Sequence, residues 1–383
     1  MKKSILISLI LSFSLLLSPN YEASASTKDD GRERTFSIDS LMKNMEVDLR
    51  LSYAFFVHHH FEMTGYTKHF PMFELSLQKQ TYGKSLWQSY FNYPTIGVTA
   101  YYSGFGDVDI FGKAYAVYPF INFPFNKSKT NTFGFRFGVG LGYLTEKFHH
   151  TDNYKNTSIG VNFNAAISLT FEYERQITDK CKMSVFAGLT HFSNGCSNQP
   201  NSGINIVNAG ISGSYMIGEP QDYIPREKTK NKFKKIEPEF YAGISLGVKR
   251  IEYRQDENTG VYNLELYVMD RISNLSKIGF GFDLVYDATD NIKVIHDYGP
   301  DADFTFIEML KPGIGLAYEL MMGEASFLFN FGYHPYGLDM SYGRWYQKLG
   351  LKVNMGKYVY GKIALNTHFG VADFIGLGLG IRL

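Results

Sequence analysis

Apolar and polar residues alternate one for one along most of this chain, and a period of 2 belongs to strands whose two faces meet different surroundings. Val47, Leu49, Leu51, Tyr53, Phe55 and Val57 alternate with Glu46, Asp48, Arg50 and Ser52. Phe73, Leu75 and Leu77 do so against Glu74, Ser76 and Gln78, and Ala242, Ile244, Leu246 and Val248 against Gly243, Ser245, Gly247 and Lys249. The chain ends on Ile375, Leu377, Leu379, Ile381 and Leu383, set against Gly376, Gly378, Gly380 and Arg382. One strongly apolar face, one polar face and aromatics near the strand ends suit strands with lipid on one side and a polar interior on the other. A secreted β-sandwich also alternates, but its outward positions should be polar. The expected class is therefore all-β, an antiparallel transmembrane outer-membrane β-barrel.

The N-terminus agrees. Lys2 and Lys3, an apolar run from Ile5 to Leu17 and the small residues Ala23-Ser24-Ala25 read as a signal peptide over residues 1–25, with a mature chain from Ser26. The run is too short to span a bilayer as a helix, and no later stretch reaches the roughly 18 to 20 uninterrupted apolar residues that a helical span needs. With 32 Phe, 28 Tyr, 37 Gly and a net charge of +1, the composition suits an aromatic-rich β-protein and disfavours nucleic-acid binding.

About eight strand candidates precede residue 218 and about eight follow residue 238. Between them, 219–236 is rich in Lys, Glu and Pro and marks a polar linker between halves at 26–218 and 237–383. Leu189-Thr-His-Phe-Ser193 in the first half and Asn366-Thr-His-Phe-Gly370 in the second suggest a duplication. The halves either merge into one barrel of about 16 strands or form two tandem barrels of about eight. A linker longer than an ordinary turn favours separable halves, whereas single chains with two full barrels are unusual, so one large barrel is slightly preferred.

The densest chemistry lies in His191-Phe-Ser-Asn-Gly-Cys-Ser-Asn-Gln-Pro-Asn-Ser-Gly-Ile-Asn205. Side chains at i and i+2 of a strand share a face, so His191 and Ser193 form a candidate base and nucleophile. Met183, Val185, Ala187 and Leu189 precede them in the same register, which puts the pair on the apolar, lipid-facing stripe. Asn205 shares its face with Val207, Ala209 and Ile211, so it reaches the same side. Exposing three polar side chains to acyl chains is costly, which argues for a site.

The first half resembles the lipid A 3-O-deacylases, PagL-type outer-membrane acyl hydrolases. The likeness rests on His191-x-Ser193-Asn194, the loop with Pro200-Asn201-x-Gly203, and Asn205 opening the next strand. It covers about residues 40 to 218 and leaves 219–383 outside. It implies a lipid-facing catalytic His191 and Ser193 with Asn205 where the family has Glu. It also implies lipid A or lipopolysaccharide as substrate, outer-membrane lipids as surroundings, and hydrolysis of an ester-linked (3-hydroxy)acyl chain through an acyl-enzyme. Oxyanion donors are expected among Asn194, Gly195 and Asn201. The rival expectation is a non-enzymatic porin or structural barrel whose site has decayed. Neither needs a metal or an organic cofactor, and a homodimer is compatible with both.

Other clusters carry less. Adjacent residues of His58-His59-His60 would point to opposite faces, which suits no metal site. His149-His150 reads as a solvated loop. Gly138, Gly140 and Gly142 share one face opposite Phe137, Val139 and Leu141, which lets a barrel interior pack closely. Cys181 and Cys196 flank one strand at roughly 40 Å by strand rise, too far for a disulfide. In the second half, His368 falls on the polar face and Gly370 replaces the serine, so no second hydrolase site is expected.

Overall fold

The computed structural model describes residues 42–58, 61–126, 128, 130–225, 236–251, 258–299, 301–302 and 304–383. The expected signal at 1–25 lies outside them, as do His59, His60 and residues 226–235 of the expected linker. The strands close into two antiparallel barrels of eight strands each.

The first barrel comprises β1 (Met45–Phe56), β2 (Phe70–Gln80), β3 (Thr95–Gly104), β4 (Lys113–Pro124), β5 (Asn131–Leu144), β6 (Phe163–Gln176), β7 (Cys181–Ser193) and β8 (Ile204–Met216). It closes through β1 and β8, with Val47 opposite Tyr215 and Leu51 opposite Ile211. The second comprises β9 (Glu239–Lys249), β10 (Thr259–Arg271), β11 (Ser276–Asp287), β12 (Leu310–Met322), β13 (Ala325–Tyr333), β14 (Trp345–Met355), β15 (Val359–His368) and β16 (Val371–Arg382). There Leu377 of β16 lies opposite Leu246 of β9. The slight preference for one barrel of 16 strands is thereby corrected. Each half pairs its own first and last strands, a choice between distant partners that local alternation does not encode.

Alternation sorts the side chains as lipid demands. Leu49, Leu51, Tyr53 and Phe55 of β1 are exposed on the outer wall, whereas Glu46, Asp48 and Arg50 are buried inside. Outward residues meet outward residues across the ladder, Leu49 with Leu75 and Leu51 with Phe73.

Inside the first barrel, the outer half is filled by apolar rings and aliphatic chains, among them Phe56, Phe70, Phe105, Phe111, Phe192 and Ile204. The glycines of β5 make room for this filling: a Cβ at Gly138 would lie 2.7 Å from the Tyr118 ring, and one at Gly142 2.7 Å from Phe192. Towards the other end a charged layer crosses the lumen. Arg50 bonds Asp48 at 2.7 Å and also contacts Glu172. Arg136 donates to Ser76 at 2.8 Å and Thr99 at 2.6 Å, and its guanidinium lies 3.4 Å from the centroid of the Phe120 ring. An interior of eight strands is just wide enough for side chains to fill it.

The second barrel fills its lumen with paired charges. Lys277 meets Glu239 at 2.7 Å, Lys352 meets Glu319 at 2.6 Å, and Lys348 bridges Glu265 and Asp283. Tyr267 and Tyr346 both donate to Asp283.

In each barrel both chain ends lie at one mouth and most of the long connections at the other. In outer-membrane barrels long loops face outward and short turns face the periplasm. The first part of the expected linker is docked at the periplasmic mouth of the first barrel. Ile224 N–H donates to the Tyr82 carbonyl at 2.7 Å, Tyr93 Oη donates to the Ile224 carbonyl at 3.0 Å, and the Tyr223 and Tyr93 rings lie 4.6 Å apart.

Asp48 is the shared counter-ion of Arg50 and Arg136. Removing one partner of a buried ion pair costs about 3–5 kcal/mol. Asp48→Leu should lower the urea midpoint of the refolded protein, read from the compact band on unheated gels. An unchanged midpoint would mean that Glu172 suffices for both cations.

Candidate active site

The outer end of the β7–β8 hairpin carries the three residues singled out above. On β7, Thr190 and Phe192 turn into the barrel and are buried to 1% and 0% exposure, so His191 and Ser193 stand on the outer wall with Met183 and Val185. His191 lies directly opposite Asn205 of β8, and Ser193 opposite Ala165 of β6. Asn205 is outward for the same reason, since Ile204 and Ile206 on either side are fully buried.

His191 Nδ1 lies 2.6 Å from Asn205 Oδ1. An amide oxygen only accepts, so the proton belongs on Nδ1 and leaves the Nε2 lone pair as a base. Ser193 is one step further along the same face, on the side away from the membrane centre. With the imidazole neutral, none of the three carries a formal charge, which lowers the cost of placing them against lipid.

The returning loop frames the imidazole. Asn194 N–H donates to Asn201 Oδ1 at 2.9 Å, which ties the two ends of the loop together. The Asn194 side chain is buried to 5% exposure. Gly195 and Cys196 reverse the chain with φ of +60° and +66°. Gly203 has φ +75°, and a Cβ there would lie 2.8 Å from His191 Cε1, so the imidazole is packed on a bare backbone. Gly203 N–H is held by the Ser158 carbonyl at 3.0 Å, and the Asn205 carbonyl accepts Val57 N–H at 2.9 Å. Gly203 stood within the motif, but its contact with His191 depends on a left-handed turn that the spacing does not reveal. Ser158 lies in the β5–β6 loop and had no signal at all.

The weaker clusters fall elsewhere. His149 and His150 stack on each other at 4.7 Å in the β5–β6 loop. Among the described residues no group of three or more His, Cys, Asp or Glu is placed to hold a metal ion. Cys181 and Cys196 form no disulfide. In the second barrel, His368 Nδ1–H donates to the Trp345 carbonyl at 2.9 Å, and Nε2 lies 3.7 Å from Asp373, while Gly370 forms a turn with φ +93°.

Residues 72–213 match the family model described as lipid A 3-O-deacylase (PagL). The likeness extends beyond the motif and beyond residue 218, for residues 237–383 match the model of the acyloxyacyl hydrolase C-terminal domain. Among solved structures, the crystal structure of the outer membrane enzyme PagL is similar at 15% identity and TM-score 0.31, over 45% of this chain and 99% of that one. The Pseudomonas putida toluene transporter TodX aligns at 8% identity and TM-score 0.18, over 90% and 89%. A Rhodopseudomonas blastica porin mutant aligns at 6% and 0.17, over 88% and 99%. No curated protein matches the chain. The likeness thus runs through both barrels: the first is matched by the lipid A 3-O-deacylase (PagL) family model and the second by that of the acyloxyacyl hydrolase C-terminal domain.

Proposed function

We propose that the protein is a serine esterase of the outer membrane that removes an ester-linked (3-hydroxy)acyl chain from lipid A, with His191, Ser193 and Asn205 as its catalytic group. The observation that carries this is the 2.6 Å contact of His191 Nδ1 with Asn205 Oδ1 on the lipid-facing wall, one step from Ser193. Nothing in barrel stability calls for a histidine, a serine and an amide side by side on a surface that meets acyl chains.

The chemistry is acyl transfer to water. Nε2 of His191 takes the proton of Ser193 as its Oγ attacks the ester carbonyl. The imidazolium then returns that proton to the departing sugar hydroxyl. Water, activated by the same imidazole, hydrolyses the acyl-enzyme. Because the Asn194 N–H is engaged with Asn201 Oδ1 and the Asn194 side chain is buried, the donors for the oxyanion are the Gly195 N–H and the Asn201 amide nitrogen, while Asn194 shapes the loop. Asn205 holds the tautomer but adds no negative charge to balance the imidazolium. The porin alternative draws no support from the lumen, which apolar rings and the Arg50–Arg136 layer fill.

Mass spectrometry of lipid A from cells making equal folded amounts of each variant tests the assignment. The wild type should release one hydroxyacyl group. Ser193→Ala and His191→Ala should each lower the rate by about 10³-fold or more. Unchanged lipid A with all three, also after detergent release, would sink the esterase, and planar-bilayer conductance would then decide for a pore.

Asn205→Glu should raise the rate about tenfold, because a carboxylate stabilises the imidazolium that an amide only orients. A slower Glu variant would show that the outer wall tolerates no charge at this position.

Gly203→Ala, compared at equal folded amounts because a Cβ is strained at φ +75°, should cost up to about 10²-fold in kcat, since its methyl displaces the imidazole by a fraction of an ångström to an ångström. Full activity in that variant would separate the loop contact from catalysis.

A further inference from the structure

The connection from β11 to β12 forms α1 (Ala288–Tyr298) at the outer mouth of the second barrel and then returns through residues 304–309. That return is tied to the β13–β14 loop, where Tyr336 Oη donates to the Glu308 carbonyl at 2.9 Å, and it turns Phe306 towards the outer wall. Phe306 stacks on Tyr286 with ring centroids 5.3 Å apart at 28°. Tyr286 belongs to the outer wall, because Val285 and Asp287 on either side are buried within the barrel. It pairs in register with Tyr262, itself outward and 6.1 Å away ring to ring. Beneath these two tyrosines the same wall continues through Leu264 with Leu284 and Leu266 with Phe282, the band that faces acyl chains. Phe306 is 64% exposed and Ile307 76%.

The turn that presents them is built rather than slack. Thr305 donates to Glu308 Oε2 from both its backbone N–H, at 2.8 Å, and its hydroxyl, at 2.7 Å. Met309 N–H closes on the Thr305 carbonyl at 3.2 Å, and Leu310 N–H on that of Ile307 at 3.1 Å. These bonds to Thr305 hold the Glu308 carboxyl below its ordinary range. A charged residue and two bare apolar residues on one short turn suit the boundary between headgroups and acyl chains.

We propose that Phe306 and Ile307 form a fixed apolar knuckle that inserts among the outer-leaflet acyl chains beside the second barrel. The occupant is lipid because the knuckle continues the acyl-facing band without a break and rests on its uppermost aromatic pair. Its consequence is that α1 is held at the membrane surface by a loop, not by the strands alone. The assignment is independent of the esterase reading and requires only that the barrel sit in a membrane.

The natural tryptophans are Trp87 and Trp345. The test places Phe306→Trp in a full-length Trp87→Phe, Trp345→Phe background, refolded into phosphatidylcholine vesicles with or without bromine atoms near the headgroup end of the acyl chains. Most of the tryptophan emission should be lost in brominated vesicles and retained against aqueous iodide. Quenching by iodide with none by bromine would overturn the proposal. So would emission insensitive to both, accompanied by disulfide-linked dimers of Ile307→Cys in a Cys181→Ser, Cys196→Ser background, which would assign the knuckle to a second copy of the chain. Ile307→Trp carries the same test should the first variant not refold.

Discussion

A strand in hydrocarbon has no water to satisfy its N–H and C=O groups, so each must find a partner strand and the sheet must close. Everything else in this protein follows from that closure. The β1–β8 and β9–β16 ladders leave no open edge in either barrel. Once the ring is closed, parity sends every second side chain to lipid and the rest to a lumen only wide enough for side chains.

What enters that lumen differs between the two barrels. The first combines a plug of packed aromatics at its outer end with a layer of arginines and carboxylates further in. The second relies on lysines matched to carboxylates and tyrosines. Buried charges tolerate this only when paired, because desolvating an unpartnered ion costs far more than its neighbours return.

The catalytic candidates make sense as the exception to the sorting rule. His191, Ser193 and Asn205 occupy outward positions that lipid would assign to apolar residues, and they stand at the outer end of their strands, where the apolar band gives way to loops. With the imidazole neutral the three carry no formal charge, and the loop contacts of Gly203, Ser158 and Val57 fix the imidazole without adding any. Much of this was legible in the residue pattern: the i, i+2 spacing placed His191 with Ser193, and parity put both on the lipid side. The Gly203 contact was not, because it depends on a left-handed turn and on support from the β5–β6 loop more than 40 residues away in the chain.

Parity is a local property, since neighbouring residues of an extended chain must point to opposite sides. The alternation of β1, or of Ile375 to Leu383, therefore determined the all-β class, the lipid-facing wall and the face of each candidate residue without reference to any partner. Closure is not local. Whether β8 returns to β1 or passes on to β9 depends on hydrogen bonds between segments some 170 residues apart, such as Glu46 with Met216, and nothing in either strand names its partner. The same holds for the docked Tyr223 and for Phe306 folding onto Tyr286, where only the assembled wall offers the surface that the side chain meets.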